Sequence, residues 1–585
     1  MSNHNQAPNI ALQLAEYSPP SRCCNHFPGC HCHTEASRDR ILRDLQNASE
    51  VDLSSSYRRF IPRGSVLRIL DSRRVAKHLE TLLDDIHLSN QLGTYISPGQ
   101  EETCNCHDNL CTGSRIIFAS LLRIGKEDRI VHLYNQSDPR VCDNSLPLSE
   151  HRPFPESLND LTEKEKQLFE HAQWQLRAHY LKRLEPEDQT PRELDDEAAL
   201  PLLNVKERPE PIIGELSIVQ RIRVDPDHHN LDGSLHYFAL KTVKRGFWDL
   251  GKDRFQEEFI ANQQAPRHDR IVPLLAAFTH RNKYHLIFPY ASGGNLVELW
   301  KTYSSSEALG DRPAAWYSSQ WLLKECLGIA ESLAATHQPT DNTGLGKLYN
   351  PAPQLHADIK PRNILCFETV EKGKQSFTLK LADFGFARKV NEDSTLAAGD
   401  VSHTKTYRPP EYDLEDLVHL NYDVWCLGCV YLEFITWAVL GWSEVEKFCS
   451  ARLEERDDPH TSAAKGEDYE DTFFRKVARA PRWYDLSGLK FGAERDTKIT
   501  SKKTTSSQRL LRVGRGNIRI SCKVKESVTN HISKIRSHAQ CVPEFREFLN
   551  FIETKMLVIN AKTRTNSDEV EIFLRNLTGQ HHQQG

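Results

Sequence analysis

The sequence predicts an α+β chain of two lobes, a small β-rich one and a large α-helical one, preceded by a mostly helical accessory domain. Three observations predict it. HYFALKTV and KYHLIFPY are short segments rich in the aromatic and aliphatic residues that suit a sheet. Beyond Gly293 and Gly294 long helical patterns take over, among them WLLKECLGIAESLAATHQ. Ahead of both, VAKHLETLLDDIHL and LTEKEKQLFEHAQWQLRAHYLKRL carry apolar residues at three- and four-residue spacings.

Taken in order, residues 1–55 are polar and irregular and read as a disordered Cys/His-rich tail. Residues 56–184 form the helical accessory domain. The acid- and proline-rich run from Glu185 to Pro211 opens an acidic linker, placed at 185–205. The two-lobed domain then fills 206–585, with its small lobe at 206–290 and its large lobe at 291–578. A basic insertion at 490–525 reads as a solvated loop.

Composition narrows the classes. The 585 residues are 38% hydrophobic and 26% charged, as in a soluble globular protein with some disordered parts. A formal charge of −5 argues against nucleic acid as a partner of the whole chain. Fifteen cysteines scattered over this length are not a small disulfide scaffold. MSNHNQAPNI lacks a basic start and apolar core, so no secretory signal is expected. The apolar run from Trp425 to Trp442 holds Glu433 in its middle, a costly group in lipid, so a buried helix is predicted there and no membrane. The expectation is an intracellular, cytoplasmic protein, with the nucleus left open.

Chemistry-bearing residues recur in a fixed order. FALKTV carries Lys241, and RFQEEF carries Glu257 and Glu258. HLIFPYASGGNL contains Phe288, Pro289, Tyr290 and Ala291. HADIKPRNILCF contributes Asp358, Lys360 and Asn363, and LADFGFAR contributes Asp383, Phe384 and Gly385. TKTYRPPEY brings Thr404 and Glu411, NYDVWCLG brings Asp423, and KMLVINAKTRTNSDEV brings Arg564. In this order and spacing they resemble the eukaryotic-type serine/threonine protein kinases of the protein kinase-like superfamily. The long segment QPTDNTGLGKLYNPAPQL resembles an elaboration of the expanded kinase families of filamentous fungi.

The resemblance implies ATP and Mg2+ as cofactors and a protein as substrate. Asp358 would handle the attacking hydroxyl, Lys360 would balance charge on the phosphoryl group, and Asn363 and Asp383 would hold magnesium. Lys241 would meet the α- and β-phosphates with Glu258 as its partner, Glu257 being the rival. Gly214 would open the phosphate-cradling loop, Phe288 would be the gatekeeper, and Pro289, Tyr290 and Ala291 would line the adenine slot through backbone groups. Phe384 would set the position of Asp383, Gly385 would allow the turn, and Glu411 would pair with Arg564. Asp423 is carried over as a structural residue. Lys360 and Thr404 together imply serine/threonine specificity.

Two departures stand out. IIGELSIVQRIRV keeps Gly214 but has Leu216 and Val219, or their neighbours, where the family has further glycines. Glycines there let backbone N–H groups approach the phosphates, so a weakly active or inactive pseudokinase serving as a scaffold stays open as the alternative. Ala357 replaces an arginine that grips an activation-loop phosphate, so activity independent of phosphate at Ser394, Thr395 or Ser402 is expected.

Two Cys/His clusters remain. Cys23, Cys24, Cys30 and Cys32, interleaved with His26, His31 and His33, offer ligands for a structural Zn2+. Cys104, Cys106, His107 and Cys111 form a second set. The plainer reading of both is a polar tail and a loop with incidental cysteines. The N-terminal region is also expected to meet a protein partner.

Overall fold

The computed structural model describes residues 31–579 except 53–57, 99–105, 107–110, 137–140, 150–152, 204, 206–208, 215–216, 244–249, 304–316, 339–351, 372–373, 391–394, 402–403, 459–460, 462–469, 480–500, 504–508 and 514–515. Cys23, Cys24, Cys30, Cys104, His107, Leu216, Ser394, Ser402 and most of the long segment before the HADIKP motif lie outside the described residues. Cys32 falls in a helix, and only its backbone is described. The chain divides into two compact units, one of 1–180, 195–204 and 224–229, the other of 181–194, 205–223 and 230–585.

The first unit is helical. Asp71 caps the helix Ser72–Leu83 by accepting from the Arg73 and Arg74 amides, and Asp84 ends it in the left-handed region at φ 51°. Thr162 and Glu165 form a capping box on the helix Glu163–Leu176. Leu79, Phe118, Leu121, Leu122 and Phe169 from these helices and from Arg115–Arg123 share one core. A helix spans His31–Asn47, within the stretch expected to be a tail, because Ile41 and Leu45 give it an apolar edge buried in that core.

The stretch expected to be an acidic linker is also structured. Arg192–Glu193 pairs in parallel with Ala276–His280. Residues 195–204 belong to the helical unit, where Leu200 donates its amide to Asp52 (3.1 Å) and Leu200 and Leu202 are buried. The acidic composition concealed these few leucines, and their burial holds the backbone.

The second unit begins with a sheet. Its strands run in the order Arg192–Glu193, Ala276–His280, Lys283–Pro289, Phe238–Val243, Ser217–Val224, with Ile212–Ile213 paired to the last. Register places Lys241 opposite Leu286 on one side and Val219 on the other. The helix Leu250–Gln264 packs Phe255 and Phe259 onto Leu286 and Tyr284, which fixes its rotation beside Lys241.

The larger, helical part surrounds the buried helices Ser319–His337 and Asn421–Leu440, with Trp300, Trp425, Tyr431 and Trp437 in its core. Glu433, inside the apolar helix, bonds Arg452 (2.9 Å) and the Tyr407 hydroxyl (2.9 Å), which compensates its burial. The basic stretch expected to be a loop contains strands. Phe474–Arg479, Gly516–Val524, Arg509–Val513 and Ser501–Lys503 make an antiparallel four-stranded sheet in that order. It is tied in at one end: Lys476 pairs with Asp413 (3.1 Å), and the Lys525 ammonium donates to the Arg452 carbonyl (2.6 Å).

Candidate active site

Lys241 projects from the centre of the sheet, where neighbouring strands pair on both sides of it. Its ammonium lies 2.6 Å from Glu258 Oε1 and 3.0 Å from Asp383 Oδ1. Burial works against its charge, but Asp383 and then Glu258 outweigh it and hold the ammonium above the ordinary lysine range. Lys241 in turn pulls Asp383 below the usual carboxylate range. Burial first, then the charge of Asp383, pushes Glu258 upward. The two glutamates left open by the sequence diverge: Glu258 faces Lys241, while Glu257 pairs with Arg388 at 2.9 Å.

The HADIKPRN loop is held from below. Asp423 accepts the backbone amides of His356 (2.7 Å) and Ala357 (2.9 Å), and lies 3.0 Å from the His337 ring. Ala357 has φ 66°, so the loop turns sharply at this point. Three donors then converge on the Asp358 carboxylate. Lys360 Nζ reaches Oδ2 at 2.7 Å, Asn363 Nδ2 reaches Oδ2 at 2.8 Å, and the Thr404 hydroxyl reaches Oδ1 at 2.7 Å. Lys360 also donates to the Thr404 oxygen at 3.1 Å.

The next loop is tied to this one. Ala382 donates its amide to the Asn363 carbonyl at 2.9 Å, and His356 Nε2 contacts the Ala382 carbonyl at 3.2 Å. Asp383 itself occupies the left-handed region at φ 65°. Phe384 is fully buried, with its ring edge-on to His356 at 4.8 Å. The expected role of Gly385 needs correction, since the positive φ of this turn belongs to Asp383 and not to the glycine. A Cβ at Gly385 would lie 3.2 Å from Asp383 Oδ1 and 3.4 Å from Glu258 Cδ, so it is space that the glycine provides.

The remaining expected residues frame this centre. Arg564 grips Glu411 with both arms, at 2.6 and 2.8 Å, and donates further to the Asn421 and Val558 carbonyls. Phe288 sits on the strand Lys283–Pro289 opposite Ala239, and Tyr290 and Ala291 follow at the strand's end. Gly214 lies in the hairpin joining Ile212–Ile213 to Ser217–Val224, its amide donating to the Ser217 carbonyl (2.8 Å). Gly214 does not have positive φ, and a Cβ there would meet only ordinary contacts.

Sequence reasoning missed His337 and Arg388. A histidine closing a long helix gives no signal, and Arg388 acquires a role only when the strand Arg388–Lys389 pairs with Gln354–Leu355. His356 could have been found, since it opens the HADIKP motif itself.

The donor set fits a nucleotide with its metal. Asn363 engages its amide nitrogen with Asp358, so its oxygen is the atom offered to a cation, and Asp383 adds a carboxylate next to Lys241. Asp383 beside the sheet lysine, with the Asp358 loop tied to it through Asn363 and Ala382, is the arrangement of a bilobal kinase fold. Residues 231–463 match the family model of the protein kinase domain, so this part of the chain is a protein kinase-like domain. Protein kinase domains in general use ATP and Mg2+ on protein substrates.

It is 32% identical over 204 residues to the leucine-rich repeat receptor protein kinase MSP1 of Oryza sativa subsp. japonica, covering 34% of this chain and 13% of the rice protein. It is 28% identical over 200 residues to the probable LRR receptor-like serine/threonine-protein kinase RPK1 of Arabidopsis thaliana, covering 34% and 32%. To GLH-binding kinase 1 of Caenorhabditis elegans it is 27% identical over 189 residues, covering 32% and 44%. The chain thus spans less than half the length of each of these relatives.

These findings overturn the expected cytoplasmic placement. Two rice and three Arabidopsis relatives are named as receptor or receptor-like kinases. The helix Asn421–Leu440 is long and apolar enough to cross a membrane, although 89% of its apolar window is buried inside the fold.

Proposed function

We propose that this chain is an ATP- and Mg2+-dependent protein kinase that phosphorylates serine and threonine hydroxyls of proteins. The observation that carries the reading is the triangle of Asp358, Lys360 and Thr404. In this reading Asp358, held on both oxygens, orients the substrate hydroxyl and takes its proton at the carboxylate. Lys360 places a cation beside that carboxylate, where negative charge on the transferring group gathers. Lys241 and Glu258 position the α- and β-phosphates, with Gly214 in the hairpin above and Phe288, Tyr290 and Ala291 along the adenine slot. Asn363 and Asp383 hold the metal. Magnesium-bound ATP supplies the phosphoryl group and most of its counter-charge. Thr404 and Lys360 narrow the acceptor to an aliphatic hydroxyl.

A second reading has an observation of its own. The hairpin around Gly214 exposes Ile212 and Ile213 and has leucine and valine in place of the further glycines expected of a phosphate cradle. A pseudokinase that binds protein partners would keep the fold without needing that grip.

One assay separates them. Full-length protein is given labelled ATP, Mg2+ and peptide libraries whose only hydroxyl is serine, threonine or tyrosine. Label on serine and threonine peptides, lost in Asp358→Asn, supports the kinase. Equal signals from the two proteins would favour the scaffold.

A further inference from the structure

Two cysteines of the second sequence cluster meet a third from far along the chain. Cys106 and Cys111 lie between the helices Ile86–Ile96 and Arg115–Arg123, and Cys142 lies beyond the helix Ile130–Asn135. Their three sulfur atoms lie within 4.8 Å of one another. Thiolates sharing one tetrahedral zinc, with bonds of about 2.3 Å, stand about 3.8 Å apart, so small side-chain rotations close the triangle.

Contacts hold the backbone next to Cys111 and Cys142. Gly113 has φ 77° and sits so close to Pro98 and the Ile96 carbonyl that a side chain has no room. Its carbonyl accepts the Asp143 amide at 2.7 Å. The Val141 carbonyl accepts from the Tyr95 hydroxyl (2.8 Å) and the Ser114 hydroxyl (3.2 Å). Asp143, next to Cys142, is not available as a rival ligand, because its carboxylate accepts from Thr112 and from the Ile116 and Ile117 amides. Cys142 is buried and the other two are half-buried.

Three converging sulfurs, with Asp143 turned to other partners, suit a soft cation. We propose that Cys106, Cys111 and Cys142 bind one zinc-class divalent ion, which clamps the loop before the helix Arg115–Arg123 to the segment after Ile130–Asn135. On binding, each thiol gives up its proton to solvent as its sulfur–metal bond forms, so affinity rises with pH.

The test uses the full-length protein, purified with reductant, stripped with a chelator, and titrated with Co2+ or Zn2+ alone. Cobalt should produce thiolate-to-cobalt charge-transfer absorption in the near ultraviolet. Cys111→Ser and Cys142→Ser should each lose about a third of it or more, while a Cys23/Cys24/Cys30/Cys32→Ser chain keeps it. On the unsubstituted chain, Zn2+ should slow maleimide labelling of Cys106, Cys111 and Cys142 about tenfold or more, reversibly with chelator. Labelling unchanged by Zn2+, identical cobalt spectra in the wild type and Cys142→Ser, or a Cys111–Cys142 disulfide in freshly purified protein would overturn the proposal.

Discussion

The Thr404 hydroxyl donates to Asp358 Oδ1 at 2.7 Å across 46 residues of chain, and Lys360 touches both partners. The segment that ends in TYRPPEY is therefore latched onto the HADIKP loop by a hydroxyl. Thr404→Val keeps the shape and removes that bond. A hydrogen bond to a charged group contributes about 1.5–3 kcal/mol, so phosphotransfer efficiency should fall roughly 10- to 150-fold. Thr404→Ser should restore most of it. Steady-state kinetics on the three proteins, with melting temperatures as the folding control, check this.

Glu411 and Arg564 are both buried, and each is nearly satisfied by the other. Removing one leaves the other charged in the core, at a cost of about 3–5 kcal/mol for Glu411→Ala. Arg564→Lys should also be destabilising, because an ammonium cannot make both contacts with the carboxylate and reach the Val558 and Asn421 carbonyls as well. The double variant Glu411→Leu/Arg564→Met should be less damaging than Glu411→Ala alone. Denaturant unfolding of the three variants measures the ordering.

The two glycines carried over from the resemblance should respond differently. At Gly385 an added methyl crowds Asp383 Oδ1 and Glu258, the two acids bonded to Lys241. Gly385→Ala should lower phosphotransfer between about 10- and 100-fold through a displaced carboxylate. At Gly214 the nearest atom is the Ser217 carbonyl oxygen at 3.4 Å. Gly214→Ala should change stability by no more than about 0.5 kcal/mol and leave the KM for ATP within about twofold.

Acid should weaken the second unit well before its carboxylates titrate. Burial lowers His531 to about 4 and His285 to about 3. His531 stacks on Phe448 at 4.0 Å, and His285 stacks on Phe278 at 4.9 Å, both neutral in the fold. The unfolded chain takes up protons at these positions below pH 6.5 and the folded chain does not. Stability is therefore full above pH 6.5 and falls as pH drops toward 4 and then 3, by about 3 kcal/mol for His531 at most. Melting temperature against pH should show this decline, and His531→Gln should make it shallower.

What could be read in advance followed from how local the signal is. Lys241, Asp358, Asn363 and Asp383 are legible because each sits in a short motif that resembles the protein kinases, in the right order and spacing. The choice between Glu257 and Glu258 is not legible, because helix rotation is set by Phe255 and Phe259 packing on strands elsewhere in the chain. The segment 518–524 does carry strand alternation, apolar at Ile518, Ile520, Cys522 and Val524, but the density of basic residues around it reads as a solvated loop. Cys142 has no other cysteine or histidine close by in the sequence to advertise it, and only the fold brings it to Cys106 and Cys111.

Membership of the two units alternates along the chain at 181, 195, 205, 224 and 230. A truncation starting at residue 206 would strip Arg192–Glu193 from its parallel neighbour and discard Leu184, which packs with Phe255 and Leu286. It would also carry 224–229 along as a remnant of the helical unit. Excision at one junction thus yields a damaged fragment, and loss of activity in such a fragment would report a wounded sheet and not the loss of a regulator. A faithful dissection requires a graft that keeps 181–194 and replaces 195–204 and 224–229 with short connectors.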